Sequence, residues 1–167
     1  ASAAASVHAL EVYAPRHCTS ATAVDAVVHR PTLAERYSAC GEDEDTVSMA
    51  LTVTVRLMSR CGVRPGDVGV LNVSSASVLD RSKSMKTELM AVVEADVCVD
   101  LEGVNHYGAS ARASGLMSCF TWAESESWDG RWAKCVRSDD PSAPIDHPVS
   151  SAGAAAVLVG RAMPLQG

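Results

Sequence analysis

The residues able to do chemistry are few, and they lie far apart along the chain. Ser110 follows His106 and Tyr107 at the head of a segment of small residues, which offers a hydroxyl at a helix start with an imidazole nearby. A serine attacks only when an adjacent base takes its proton, and so short a separation along the chain does not favour the required geometry. Ser110 is therefore read as an N-cap that accepts a backbone N–H, and His106 and Tyr107 as loop or partly buried residues. Arg81, Lys83 and Lys86 lie close together and could hold a cofactor phosphate. The run Glu42-Asp43-Glu44-Asp45 could offer carboxylates to a cation, but a solvated helix start is the stronger reading. Six cysteines (Cys18, Cys40, Cys61, Cys98, Cys119 and Cys135) show no paired spacing, so neither a zinc site nor a disulfide framework is indicated. Cys98 and Cys119 sit in apolar segments and are expected in the core as reduced thiols.

These candidates need elements to hold them. With 167 residues, 47% of them hydrophobic and 20% charged, the chain suits one domain with a buried core and is not a disordered tail. A formal charge of −6 gives no footprint for nucleic acid or an anionic membrane, and the apolar stretches are too short to span a bilayer. Ala1 to Ser6, rich in alanine and serine, is expected to be a flexible start, with neither a signal peptide nor a complete transit peptide in it.

Val7 to Val12 reads as a first strand that ends before Pro15, and mixed turn and helix signals follow as far as Cys40. Thr46, Met49, Ala50, Val53, Leu57 and Met58 recur at helical spacing, and carboxylates in the first turn with Gly62 after the last favour that helix. Pro65-Gly66-Asp67 turns the chain into Val68–Val73, the pattern of a buried strand. A second helix is expected over 86–93 and a short strand over 97–100. From about Ala109 to Ser125 the residues are small or apolar on nearly every side, so that helix is expected to be covered all round. Strands over 132–136 and 152–159, separated by Pro141, Pro144 and Pro148, complete the order β, α, β, α, β, α, β, β. This order predicts an α/β domain with helices on a five-stranded, mixed, mostly parallel sheet.

Several blocks together resemble one family. Asp80-Arg81-Ser82-Lys83-Ser84-Met85-Lys86-Thr87, Asp100-Leu101-Glu102-Gly103-Val104 and Glu126-Ser127-Trp128-Asp129-Gly130-Arg131 stand in order between an opening block over 8–15 and a closing block over 153–160. The chain is thereby similar to 3-hydroxy-3-methylglutaryl-CoA synthases of the thiolase superfamily, over the N-terminal half of their fold. In that family a cysteine takes an acetyl group from acetyl-CoA, a glutamate moves protons at its methyl carbon, and a histidine from the later half assists acetoacetyl-CoA. A thiolate gains from a helix N-terminus, and a carboxylate in an apolar pocket can act as a base near neutral pH.

The resemblance implies that the acid position is Ala76, within Ser74-Ser75-Ala76, and that the nucleophile position is Ser110, or Ala109 if a one-residue gap is placed nearby. Ala111-Arg112 stand for the paired glycines after the nucleophile, and Ser150-Ser151 for those before the last strand. It also bears on the cationic cluster, since in the family the Asp80–Thr87 block lies around the active site and subunit contact. A structural ion-pair network is then favoured over a CoA phosphate site at Arg81, Lys83 and Lys86. The expectation is a catalytically inactive subunit, with no cofactor or metal, serving a larger assembly whose other chains cover an apolar face of the helix and sheet. Half of a split acyl-CoA condensing enzyme and a CoA-binding subunit without turnover are the alternatives. A mitochondrial location is expected, with the cytoplasm as the other choice.

Overall fold

The run Val68-Gly69-Val70-Leu71-Asn72-Val73 can be apolar on both faces only if both faces are covered, and its position in the fold meets that demand. The computed structural model describes residues 4–28, 34–78, 82–94, 100–108, 111–140 and 151–161. In chain order the elements are β1 (Ala5–Tyr13), β2 (His17–Ser20), α1 (Ala21–Val28), β3 (Arg36–Ala39), α2 (Thr46–Cys61), a 3-10 turn (Pro65–Asp67), β4 (Val68–Ser75), α3 (Met85–Val93), β5 (Glu102–Tyr107), α4 (Ala111–Glu124), β6 (Trp132–Asp139) and β7 (Gly153–Arg161). Every residue of β4 is buried.

The main sheet has five strands in the order β1-β7-β6-β4-β5, and β2 pairs with β3 in a separate ribbon. It is mixed and mostly parallel, as expected: β1, β6, β4 and β5 run in one direction, and β7 runs antiparallel to its neighbours β6 and β1. The sequence order places β6 and β7 consecutively, and consecutive strands without a crossover helix pair antiparallel. The start expected to be flexible joins the sheet at Ala5, opposite Arg161. Of the strand expected over 97–100, residues 97–99 lie outside the described residues, and β5 begins at Glu102.

Helix α2 forms where expected, but the acids precede its first turn and one of them caps it. Asp45 Oδ1 accepts from Ser48 N at 2.6 Å, and Ser48 Oγ accepts from Asp45 N at 2.8 Å, a reciprocal pair that satisfies two free donors. At the other end Gly62 takes φ 63°, the left-handed conformation that glycine adopts without steric cost. Met49, Ala50, Val53, Leu57 and Met58 then pack with Met85, Leu89 and Val93 of α3 on Leu71, Val73, Val136, Ala156 and Leu158 of the sheet. One polar side chain is enclosed on this face. Lys134 of β6 is fully buried, and its Nζ donates to the Thr54 carbonyl of α2 at 3.3 Å. Burial lowers its pKa to about 7.

Helix α4 lies on the opposite face, where Cys119 and Ala123 pack with Val70, Ala133, Cys135 and Val159. It is not covered all round. Ala111, Gly115, Cys119 and Ala123 form its buried stripe, while Ala113, Met117 and Thr121 are exposed, Met117 to 60%. An apolar composition without a moment permits burial on every side but cannot supply the second layer that would complete it. Beside the helix, Leu10 and Val12 of the edge strand β1 stand opposite Val157 and Ala155 and are 51% and 60% exposed. The described residues thus leave apolar surface open on the α4 side of the sheet.

Candidate functional site

The parallel pairing of β4 with β5 brings the carboxyl ends of both strands to one edge of the sheet. There Ser74 stands opposite His106 and Ser75 opposite Tyr107. Gly108, at φ 81°, turns the chain from β5 toward α4: its N–H donates to Ser75 O at 3.3 Å, and its carbonyl accepts from Ala111 N at 3.1 Å. This edge gathers Ser74, Ser75, Ala76, His106 and Tyr107 with the approach to α4. Ser110, Ala109 and Arg81 lie outside the described residues, and Arg112 falls within α4.

Ala76 is exposed at this edge, and a carboxylate reaches it from another strand. Asp139, at the end of β6, accepts on Oδ1 from Ala76 N at 2.7 Å and from the hydroxyls of Ser75 and Ser77, each at 3.3 Å. Its Oδ2 accepts from Arg137 Nε at 2.9 Å and from an Arg137 terminal nitrogen at 2.7 Å. Arg137 and Asp139 are two apart on a strand and so share a face. Ser77 Oγ also accepts from Asp140 N at 2.7 Å, which binds the loop after β4 to the end of β6. The carboxylate at this edge thus meets five donors.

A second polar chain runs beneath α4. His106 Nε2 lies 2.8 Å from Asn72 Oδ1, an atom that only accepts, so the Nε2 proton is donated to it. The Asn72 amide then points Nδ2 at Cys119, donating to Sγ at 3.3 Å. Cys119 and Cys135 hydrogen-bond to each other; that bond and the Asn72 donor draw the Cys119 thiol below its ordinary pKa against the effect of burial. The same contact, with burial, pushes Cys135 up. Ser74 Oγ is buried here without a partner among the described residues. Gly115 permits the close packing, because a Cβ there would lie 2.4 Å from Ser74 Oγ and 3.3 Å from Cys135 Sγ.

Of the cationic cluster, Lys83 and Lys86 lie at the start of α3. Lys83 Nζ lies 3.8 Å from Glu88 Oε1 at the surface, and the Lys86 stem crosses Gly103 so closely that a Cβ there would stand 2.6 Å from Lys86 Cδ. Asn105 ties this region to the sheet by accepting from Lys86 N at 3.2 Å and donating to Ser84 Oγ. In the acidic run, Glu44 accepts from Tyr13 Oη and from Gly41 N, the latter at 2.9 Å, while Asp43 pairs with Arg16 at 3.6 Å. Among the described residues no group of three His, Cys, Asp or Glu side chains is arranged to hold a metal ion. Ser151 accepts from Ser38 N at 3.4 Å, and Ser150 lies outside the described residues.

The turn after α4 is packed and locally bonded. Arg131 donates to Asp129 from its backbone N at 3.0 Å and its Nε at 2.7 Å, and Trp128 Nε1 donates to Arg131 O at 2.9 Å. Asn72, Cys135, Arg137 and Asp139 belong to the two polar systems but do not stand out in the sequence. Only the alternation of Arg137 and Asp139 on one strand face could have signalled their pairing.

Comparison with known proteins places the fold and the residues in a family. The sequence matches the hydroxymethylglutaryl-coenzyme A synthase N-terminal family over residues 3–164. It is 34% identical to a hydroxymethylglutaryl-CoA synthase of Mycosarcoma maydis over 95% of this chain and 37% of that protein. It is 35% identical to the cytoplasmic enzyme of Gallus gallus over 94% of this chain and 32% of that protein. For the mitochondrial enzyme of Homo sapiens the identity is 38%, over 78% of this chain and 26% of that protein. The chain therefore spans little more than a third of the longest match and less of the others. Among solved structures, MvaS in complex with 3-hydroxy-3-methylglutaryl coenzyme A aligns with a TM-score of 0.78 at 22% identity, over 95% of this chain and 40% of that one. A priming β-ketosynthase from the R1128 polyketide pathway aligns with a TM-score of 0.78 at 16% identity, over 96% and 51%. At these identities the structures establish the thiolase-like fold.

Proposed function

Since the chain belongs to the hydroxymethylglutaryl-coenzyme A synthase N-terminal family, we propose that it is a catalytically inactive member that serves as a structural, accessory component of a larger protein assembly. The observation that carries this reading is the environment of Ala76. Where the resemblance calls for a proton-transferring acid there is a methyl group, and the carboxylate that reaches the spot, Asp139, has its oxygens occupied by Ala76 N, Ser75, Ser77 and Arg137. A carboxylate so engaged holds the loop and strand together rather than accepting a proton from a bound thioester. The two candidates for the nucleophile position, Ala109 and Ser110, offer no thiol.

The assembly role draws on the open apolar surface beside and on α4. Met117, Leu10 and Val12 are large, apolar and at least half exposed, and an apolar area of that kind is stabilised when another protein covers it. The partner surface is accordingly apolar, and it meets the outer side of α4 and the β1 edge. No helix among the described residues is long and apolar enough to cross a membrane. The reading places the assembly in mitochondria, the compartment named for the human relative, whereas the chicken relative is named for the cytoplasm.

Native purification of the protein with its neighbours tests this reading. It predicts that the chain elutes with other proteins and that Met117→Glu or Val12→Glu releases it. Elution of the chain alone as a stable monomer would contradict it. Fractionation of the same cells locates the complex, and recovery outside mitochondria would overturn the compartment.

A further inference from the structure

The thiols beneath α4 have no part in the accessory role, yet their surroundings are those of a reactive pair. Cys119 of α4 and Cys135 of β6 are 0% and 7% exposed and lie in one apolar cluster, where Cys135 is the register partner of Asn72, whose amide meets Cys119 Sγ. Gly115, one turn before Cys119, has no Cβ to hold the helix off β6, and Cys135 Sγ lies 3.3 Å from where that atom would stand. Asn72 supplies the electrostatics. Its Nδ2 donates to Cys119 Sγ at 3.3 Å, and its other amide atom is fixed by His106 Nε2 at 2.8 Å, so the N–H cannot turn away without breaking a second bond. A donor held on sulfur favours the thiolate, the form that attacks a disulfide.

Access to the pair follows from how α4 is held. Its buried stripe is Ala111, Gly115, Cys119 and Ala123, whereas α2 buries Met49, Val53, Leu57 and Met58. Half-buried Leu116, Phe120 and Trp122 flank that stripe, but its own residues are small and remove little apolar area from water, so α4 lifts from the sheet at lower cost than α2, whose fully buried side chains are larger. The other described cysteines are differently placed: Cys18 and Cys61 are exposed, and burial beside Asp140 pushes Cys40 up to about 12.

We infer that Cys119 and Cys135 form a redox-responsive dithiol, oxidised by a low-molecular-weight disulfide to a bond that ties α4 to β6. When α4 opens, the Cys119 thiolate attacks one sulfur of glutathione disulfide; that S–S bond breaks, and one glutathione leaves and takes up the proton Cys119 released. Cys135 then loses its proton and attacks Cys119 Sγ in the mixed disulfide, and the second glutathione leaves as a thiol. Two protein thiols lose two electrons, and one disulfide becomes two thiols. The tie fixes the helix that starts at the strand-end edge, so that edge and the outer surface of α4 become more rigid on oxidation.

The test incubates the full chain with glutathione disulfide, blocks remaining thiols by alkylation and maps the cysteines by peptide mass. The expected product is a Cys119–Cys135 linked peptide, reversed by dithiothreitol, with amide exchange in α4 slowed by about tenfold or more. Cys135→Ala should leave Cys119 as the glutathione adduct, and Cys119→Ala should leave Cys135 unmodified. Modification confined to Cys18 and Cys61, with Cys119 and Cys135 recovered as alkylated thiols, would overturn the inference. So would a link that leaves exchange in α4 unchanged. Neither result bears on whether the chain transfers acyl groups.

Discussion

Replacing Lys134 by methionine should make the protein more stable. The lysine is fully buried between β6 and α2, and among the described residues its Nζ hydrogen-bonds only to the Thr54 carbonyl, at 3.3 Å. Arg56, Arg60 and Cys61 are the titratable residues of α2, and none of them is buried. Burial lowers the amine from 10.5 to about 7. In the unfolded chain the amine keeps its proton up to the ordinary value, so between those two pH values the unfolded state binds more protons than the folded one. Stability therefore rises with pH across the window, by at most about 1.4 kcal/mol per pH unit, and the cost of burying the lysine is fully present below it. The whole difference corresponds to roughly 5 kcal/mol, an upper bound on what burying the amine costs near pH 7. Methionine keeps a similar stem and loses about 1 kcal/mol with the hydrogen bond to Thr54. Lys134→Met should accordingly gain a few kcal/mol near pH 7 and show a shallower rise from pH 7 to 9.5, read from urea unfolding at each pH. A variant less stable than the parent, or one with the same pH slope, would refute the account of this residue.

Further outcomes follow from the caps and the close approach of α4. Asp45→Ala removes the acceptor for Ser48 N and should cost about 1 kcal/mol in urea unfolding, with Asp45→Asn restoring most of it. Gly115→Val forces bulk against Ser74 and Cys135 and should cost about 1–3 kcal/mol, measured in the same way; an unchanged midpoint would show that α4 does not sit so close to the sheet. Arg137→Ala removes two donors from Asp139 and should cost about 1 kcal/mol in urea unfolding; an unchanged midpoint would show that the pair does not hold the end of β6.

The parts of the fold that local chemistry dictates could be read from the sequence. The buried run of β4, the helical spacing of Met49, Val53 and Leu57, and the stop at Gly62 each carry their cause within a few residues. The strands β2 and β3 could not be read, because His17–Ser20 is wholly exposed and Arg36–Ala39 is only four residues long with a single buried side chain, Tyr37. Strand β5 could not be read either, since Glu102-Gly103-Val104-Asn105-His106-Tyr107 has almost no apolar signal of its own. For α4 the composition gave the helix but not its open side, which depends on what else packs there. The site shows the same division. Ala76 and Ser110 were legible as positions through the resemblance, whereas the partners Asp139 and Cys135 are brought in by the pairing of β4 with β6 and the packing of α4, at separations that no local pattern encodes.

The central claim is that a family scaffold persists here without the family's acyl chemistry. Its most direct test is intact mass measurement of the chain within its native complex after incubation with acetyl-CoA. The account predicts an unchanged mass, because Ala76 supplies no acid and neither Ala109 nor Ser110 supplies a thiol. An acetyl adduct on Ser110 that forms with the native partners and is lost on Ser110→Ala would contradict it and point to half of a split condensing enzyme.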